Sequence, residues 1–395
     1  MKMKNTLLVA LAFASGVATA QVATGGNVAQ GNEKTLFERV ARIEKKNDWF
    51  NMHLNMHAGF DAKFNQNGKT GLENAAFSIP EIRLEVGGNI TEWLSYRWRQ
   101  RLNRSYDGTK GFDNIPAAID VAGIGIKATD RLSFFAGRQC IAYGGFEFYA
   151  NPIEIYKYSE IIDHTNIFMT GLTATYDFTP TQQLQLQVLN SNAMPAQNFY
   201  GENIVESRLP LVYTVAWNAS MFNDLWQTRW SASAMNEVSD KYMYYVALGN
   251  QFNFSPKWNM YVDFMGSIEN IDRKGMMTEI IGSIDNHNVE NSMYGAVAAK
   301  VNYRFLPKWN LFVKGMFDCA AMLEGGETYA KGNYRTTLGY LAGIEYYPMA
   351  DSNLHLFCTF IGQTNLFADK TKAFGQVDYS TQRVSIGFIY RLPVF

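Results

Sequence analysis

Beyond residue 20 the chain has no run of eighteen apolar residues, which excludes a bilayer-spanning apolar helix from the rest of it. Cysteine is scarce. Cys140, Cys319 and Cys358 are an odd number on distant segments, matching neither a disulfide scaffold nor a metal cluster. Charged residues make up only 18% of the 395, below the roughly 25% usual in soluble domains. The net charge of -1 argues against nucleic acid as a partner. Histidine is thin as well, with His53, His57, His164, His287 and His355 making up the total. His53 and His57 stand about 13 Å apart along a strand, too far to share a metal. Neither GxSxG nor HExxH occurs. No catalytic class, cofactor or metal is therefore indicated.

What the chain does have is aromatic weight, 14% Phe, Trp and Tyr. It also has an N-terminus that reads as an export signal over residues 1–20: Lys2 and Lys4, an apolar stretch from Leu7 to Phe13, and Ala18-Thr19-Ala20 before Gln21. Residues 21–48 read as a small polar linker followed by a short amphipathic helix, with Leu36, Val40 and Ile43 on one face. Such a helix either oligomerises in the periplasm or rests on the rim of the domain that follows.

From Trp49 the period changes to two. Phe50, Met52, Leu54, Met56, Ala58, Phe60, Ala62 and Phe64 form an apolar face, with Asn51, His53, Asn55, His57, Asp61 and Lys63 between them. That face is as long as a tilted membrane strand and about twice a soluble one. The alternation returns at Ile82–Val86, Leu94–Leu102, Leu184–Val188 and Val384–Tyr390. Tight turns fall at 87–91, 128–131, 179–182, 222–224, 255–257, 306–308 and 348–353, two of them inside near-repeats, FSPKWNMYVDF (254–264) and FLPKWNLFVKG (305–315). Longer segments rich in Gly, Asn and Asp lie between. Trp49, Trp93, Trp226, Trp258 and Trp309 gather at the tight-turn ends, where an interfacial girdle belongs. This pattern predicts an all-β transmembrane antiparallel barrel over 49–395, of about sixteen strands, with short periplasmic turns and long external loops.

A sheet of that size cannot be filled by side chains, so the expected interior is an aqueous lumen with polar walls. Residues 140–170 form the longest early loop, between the expected fifth and sixth strands. The loop carries Glu147, Glu154, Glu160 and Asp163, with Tyr143, Phe146, Phe148, Tyr149, Tyr156 and Tyr158 among them. Its apolar weight predicts that it folds inward as a constriction, the other reading being an external cap. Arg97, Arg99 and Arg101 share one strand face about 6.5 Å apart, with Arg83 on the neighbouring strand and Arg138 ending the fifth. Facing water, they would form the basic side of the constriction and attract anions, with the loop carboxylates as the acidic side. Lumen charge without selectivity is the plainer alternative.

The helix leading into NDWFNMHLNMHAGFDAKF and the stretch RLSFFAGRQCIAYGGFEF (131–148) resemble the phosphate-selective porin O and P family, particularly its members from Bacteroides-like bacteria. The resemblance implies a sixteen-stranded trimeric porin of the Gram-negative outer membrane. Such a porin sits in outer-membrane lipid and passes small hydrophilic solutes, phosphate-like anions among them, by diffusion. It carries over Gly137-Arg138-Gln139 as wall beside the constriction. Phe395 resembles an aromatic assembly end, although Pro393 intervenes and Phe395 is out of phase with Phe388 and Tyr390. Three other classes stay open: a barrel with a blocked lumen serving binding or adhesion, an outer-membrane enzyme, and a soluble secreted β-protein.

Overall fold

The computed structural model describes residues 48–395 apart from 66–69, 106–112, 114, 193, 350 and 351. The export signal, the linker and the amphipathic helix read from residues 1–47 lie outside the described residues.

Sixteen strands follow one another: β1 (Asn51–Phe64), β2 (Leu72–Asn89), β3 (Leu94–Arg101), β4 (Ile119–Lys127), β5 (Leu132–Cys140), β6 (Phe168–Thr179), β7 (Gln182–Asn190), β8 (Leu211–Met221), β9 (Trp226–Val238), β10 (Lys241–Ser255), β11 (Trp258–Ile271), β12 (Glu290–Leu306), β13 (Trp309–Met322), β14 (Gly332–Tyr346), β15 (His355–Phe367) and β16 (Tyr379–Pro393). Each pairs antiparallel with its neighbours in chain order, and β1 closes on β16 from His53–Pro393 to Phe64–Gln382. Closure leaves no free edge along this seam, the condition for a sheet in lipid. Pro393 ends the β16 ladder, yet the chain stays paired, for Val394 and Phe395 bond to Met52.

Alternation sets what faces where. Leu311, Val313 and Phe317 of β13, with Tyr244, Val246 and Leu248 of β10, are exposed on the outside. The residues between them point inward and are buried. All seven tight turns lie at one end. In the two near-repeats, Pro256-Lys257 and Pro307-Lys308 are the turn itself, with Ser255 paired to Trp258 and Leu306 to Trp309. Proline's fixed φ suits the first position of such a turn. Trp49, Trp93 and Trp258 are exposed at this end.

Two features depart from the sequence expectation. At the end opposite the tight turns, β9 and β10 are joined by Ser239-Asp240 alone, a hairpin where a longer loop was expected. Asp240 has φ 59°, a left-handed conformation that the short side chain of Asp tolerates. Second, the inner wall is not polar throughout. From β9 to β15 it carries Met235, Met243, Tyr245, Met265, Tyr294, Phe312, Met316, Leu341 and Phe357, buried in one cluster. An apolar wall facing water would be costly, and here a loop covers it.

That loop joins β5 to β6 (residues 141–167) and holds two single-turn helices, α1 (Phe146–Tyr149) and α2 (Glu160–Asp163). Its Ile141, Tyr143, Phe148, Tyr149, Ile153, Tyr156, Ile161 and Ile162 belong to the same cluster as the apolar wall. Hydrogen bonds run from it to β1, β7, β9, β11, β13, β14, β15 and β16. Contacts so distributed around a closed ring place the loop inside it. On the external side, α3 (Gln197–Tyr200) and α4 (Met276–Ile281) sit in the loops after β7 and β11. The two loops are stitched by Asn288 N–H to the Tyr200 carbonyl (2.7 Å) and by Arg273 to the Tyr200 hydroxyl (3.3 Å) and the Ser191 carbonyl (2.9 Å).

Candidate functional site

The inward loop is held at its two helices by carboxylates of the wall. Asp263 of β11 accepts from the backbone N–H groups of Phe146 (2.9 Å) and Glu147 (2.7 Å), and Asp318 of β13 accepts from Ile161 N–H (3.2 Å). A carboxylate opposite a helix N-terminus satisfies donors that have no partner within the helix. The path of the chain into α1 needs glycine. Gly144 and Gly145 have φ of 75° and 83°, and a Cβ on Gly249 of β10 would lie 2.7 Å from the Gly145 Cα.

The acidic residues read from the sequence all lie on this loop, and each has a partner. Glu147 is fully buried, pairs with Lys314 of β13, and accepts from Ser159 N and Oγ at 2.8 Å. Glu160 meets Arg335 of β14 at 3.0 Å and accepts from Gln363 of β15 at 3.1 Å. Glu154 lies 3.5 Å from His355 of β15, and Asp163 pairs with Lys157 at 2.6 Å. Burial pushes the Glu154 carboxyl up, with the His355 imidazole opposing. Burial would lower Lys157, but Asp163 and Glu160 outweigh it and raise that ammonium. The carboxylates thus face cations of β13–β15 and of the loop itself.

Four of the five arginines meet on the other side of the barrel. Register sets Arg83 beside Arg101, Glu85 beside Arg99 and Gly87 beside Arg97. Asp120 joins them through a bulge. Arg99 pairs with Val121 and Gln100 with Ile119, so Asp120 is the unpaired residue between. The extra residue turns its side chain into the lumen. Arg83 Nη1 donates to Asp120 at 2.5 Å, Arg101 Nε at 2.7 Å, and Arg99 Nε lies 3.3 Å away. Arg83 also bonds Glu81 at 2.8 Å, while Glu85 takes Arg97 at 2.6 Å and Arg391 of β16 at 3.6 Å. Five guanidiniums therefore face three carboxylates in two groups, Arg83, Arg99 and Arg101 with Asp120 and Glu81, and Arg97 and Arg391 with Glu85, which adjoin where Glu85 stands opposite Arg99. Asp120 is 0% exposed, Arg99 2% and Arg83 4%, whereas Arg101 at the external end is 20% exposed. Phe168 at the start of β6 lies under both Arg99 and Arg101, 5.3 and 5.6 Å from ring centre to guanidinium carbon.

Arg138 stands apart. Its cross-strand partners Ala122 and Thr170 have the parity of the exposed Ile124 and Leu172, opposite to Gln139. It donates to Asp113 (2.8 Å) and to the Ile119 carbonyl (2.7 Å). The sequence reading missed Asp120, Glu85, Arg391, Lys314 and Arg335. Arg391 was readable as the polar phase of β16 and Lys314 as that of β13. Asp120 carried no signal, because a bulge breaks the phase on which such reading rests.

A closed sixteen-stranded barrel with an apolar exterior, an aromatic girdle and a loop crossing its lumen is an outer-membrane channel. The model of the family described as phosphate-selective porin O and P matches residues 50–392, and the chain belongs to that family. Among curated proteins none matches it significantly. Solved structures agree on the fold. The outer membrane channel DcaP of Acinetobacter baumannii is similar with a TM-score of 0.59 at 13% identity, over 88% of this chain and 99% of that one. OmpT of Vibrio cholerae in its trimer form is similar with a TM-score of 0.54 at 12% identity, over 87% and 100%. OprB of Pseudomonas putida gives 0.54 at 10% identity, over 89% and 96%. The protein is a porin of the bacterial outer membrane, a path for passive diffusion.

Proposed function

We propose that small hydrophilic solutes cross between the inward loop and the arginine wall of β2–β3, and that anions pass in preference to cations. The observation that carries this is the charge imbalance at the wall, five guanidiniums against three carboxylates. Arg99 Nη2 in addition makes no hydrogen bond among the described residues. A buried, incompletely paired guanidinium favours an arriving anion, and neighbouring guanidiniums offer it successive sites. Arg101, 20% exposed at the external end of the wall, is the guanidinium of this group most open to an arriving oxyanion such as phosphate. Arg83, Arg97, Arg99 and Arg101 form the basic side. Arg138 supports it from the rim of β5, and Glu147, Glu154, Glu160 and Asp163 hold the loop that forms the opposite side.

The same reading includes export directed by residues 1–20 and assembly as a homotrimer, for which the trimer form of OmpT is the supporting parallel. It describes a channel rather than an enzyme, in line with family and fold. Reversal potentials across a potassium chloride gradient test it. The wild type should be anion-preferring, and Arg99→Gln should lower the chloride-to-potassium permeability ratio about twofold or more. A cation-preferring wild type contradicts the reading.

A further inference from the structure

We infer that His355 of β15 and Glu154 of the inward loop form a proton-operated latch, which clamps the middle of the loop to the wall in acid and frees it in base. This rests on the seat of the loop and not on ion preference. Residues 151–156 meet the strands beside the β1–β16 seam. Asn151 donates to Asn55 of β1 (3.4 Å), and Arg383 Nη2 of β16 donates to the Tyr156 carbonyl (2.8 Å). The Tyr156 ring lies 5.8 Å from that of His57 and 5.0 Å from that of Phe357. Each of these contacts is complete as it stands.

The contact between His355 and Glu154 is not. His355 Nδ1 stands 3.0 Å from the Asn353 carbonyl, which only accepts, so Nδ1 carries the proton of the neutral ring. Nε2 is then an acceptor. It is buried without a hydrogen-bond partner and lies 3.5 Å from Glu154 Oε2, a second acceptor. Two facing acceptors make no bond until a proton enters between them, on either atom. The other nearby carboxylate, Glu345 of β14, is already engaged by Tyr156 (3.0 Å), Tyr347 (3.1 Å) and Asn310 (2.9 Å). Tyr347 also stacks on the His355 ring at 4.9 Å. Against these stand His57 of β1 and the cations of β12, Lys300 over Phe312 and Arg304 over Tyr347. Glu154 is therefore the group left for the His355 proton to meet. A proton held by the seated loop and released with it makes seating stronger as pH falls through the titration and weaker as pH rises. Histidine is the side chain that titrates nearest neutrality.

The test records single channels of the full-length protein in planar bilayers at about pH 7.5 and about pH 5.0, either side of the ordinary histidine range. In the wild type the rate of brief current interruptions, which reports movement of the loop, should fall about threefold or more in acid. His355→Gln and Glu154→Gln should each abolish that dependence. His287→Gln, in the external loop after β11, should retain it. A wild-type rate that is equal or higher in acid overturns the inference, and so does a pH dependence that survives in both latch variants. Amide exchange over 151–156 in the folded wild type, corrected for the intrinsic rate at each pH, reads the same seating without any variant or current. Protection there should rise in acid by a similar factor, and equal protection at the two pH values overturns the proposal. Neither measurement depends on which ions pass, so a cation-preferring wild type defeats the anion reading and leaves this test intact.

Discussion

Asp263 shows how much of this lumen depends on single carboxylates. Buried on β11, it takes two backbone N–H groups of α1 and fixes the point where the loop meets the far wall. Asp263→Ala leaves both donors without a partner in a buried site, which costs about 2 kcal/mol or more. The expected result is a barrel that still forms, with lower resistance to heat on gels and new protease cleavage within 141–167. An unchanged cleavage pattern would mean that the apolar packing holds the loop by itself. Residues of this kind divide sharply in how well a sequence reveals them. Arg97, Arg99 and Arg101 are legible because an uninterrupted strand keeps its phase, so their common face follows from spacing alone. Asp120 is illegible because the bulge that aims it inward removes that phase. Lys314 and Arg335 are half-legible: their inward direction can be read, but their pairing with Glu147 and Glu160 depends on a loop more than 150 residues earlier in the chain.

At the scale of elements, the loop between β5 and β6 and the strands it covers form one unit. In β13 the outward face is apolar, with Leu311, Val313 and Phe317, and the inward face interleaves Phe312 and Met316 with Asn310, Lys314 and Asp318. Large apolar residues on the inner face of a strand whose outer face is also apolar mark where the lumen is filled, a signal present in the sequence and readable only once the inward loop is known. The tight seat of this unit predicts a clear effect at Gly249. Gly249→Ala places a methyl group against Gly145 and Asp263, where overpacking costs about 1–3 kcal/mol. The loop should shift from the wall, giving larger or noisier single-channel currents, whereas a current trace equal to wild type would show that the wall yields instead. The β9–β10 hairpin makes the converse point. The alternation of tight turns with longer segments predicts a longer loop here, and the left-handed Asp240 lets two residues suffice. Asp240→Gly should be tolerated and Asp240→Val should lower the heat-modification temperature, since a β-branched residue resists that conformation.

For the molecule as a whole, the strand count, the end at which tight turns gather and the apolar exterior were all legible, because lipid demands pairing of every backbone group and permits few solutions. The extent of filling was not. A barrel of sixteen strands would leave a broad lumen, and here half the wall is buried under the loop while the other half carries linked arginines and carboxylates. On the proposed reading the passage runs on the side of β16 and β1–β3, where the guanidiniums of the arginine wall outnumber their carboxylates. Single-channel recording of the purified protein in a planar bilayer under a salt gradient addresses this directly. The account predicts a small, steady conductance, entered in steps of three if the assembly is trimeric, with a reversal potential on the anion side that moves toward zero in Arg99→Gln. Folded, heat-modifiable protein that gives no current, or a current that favours cations, would contradict it.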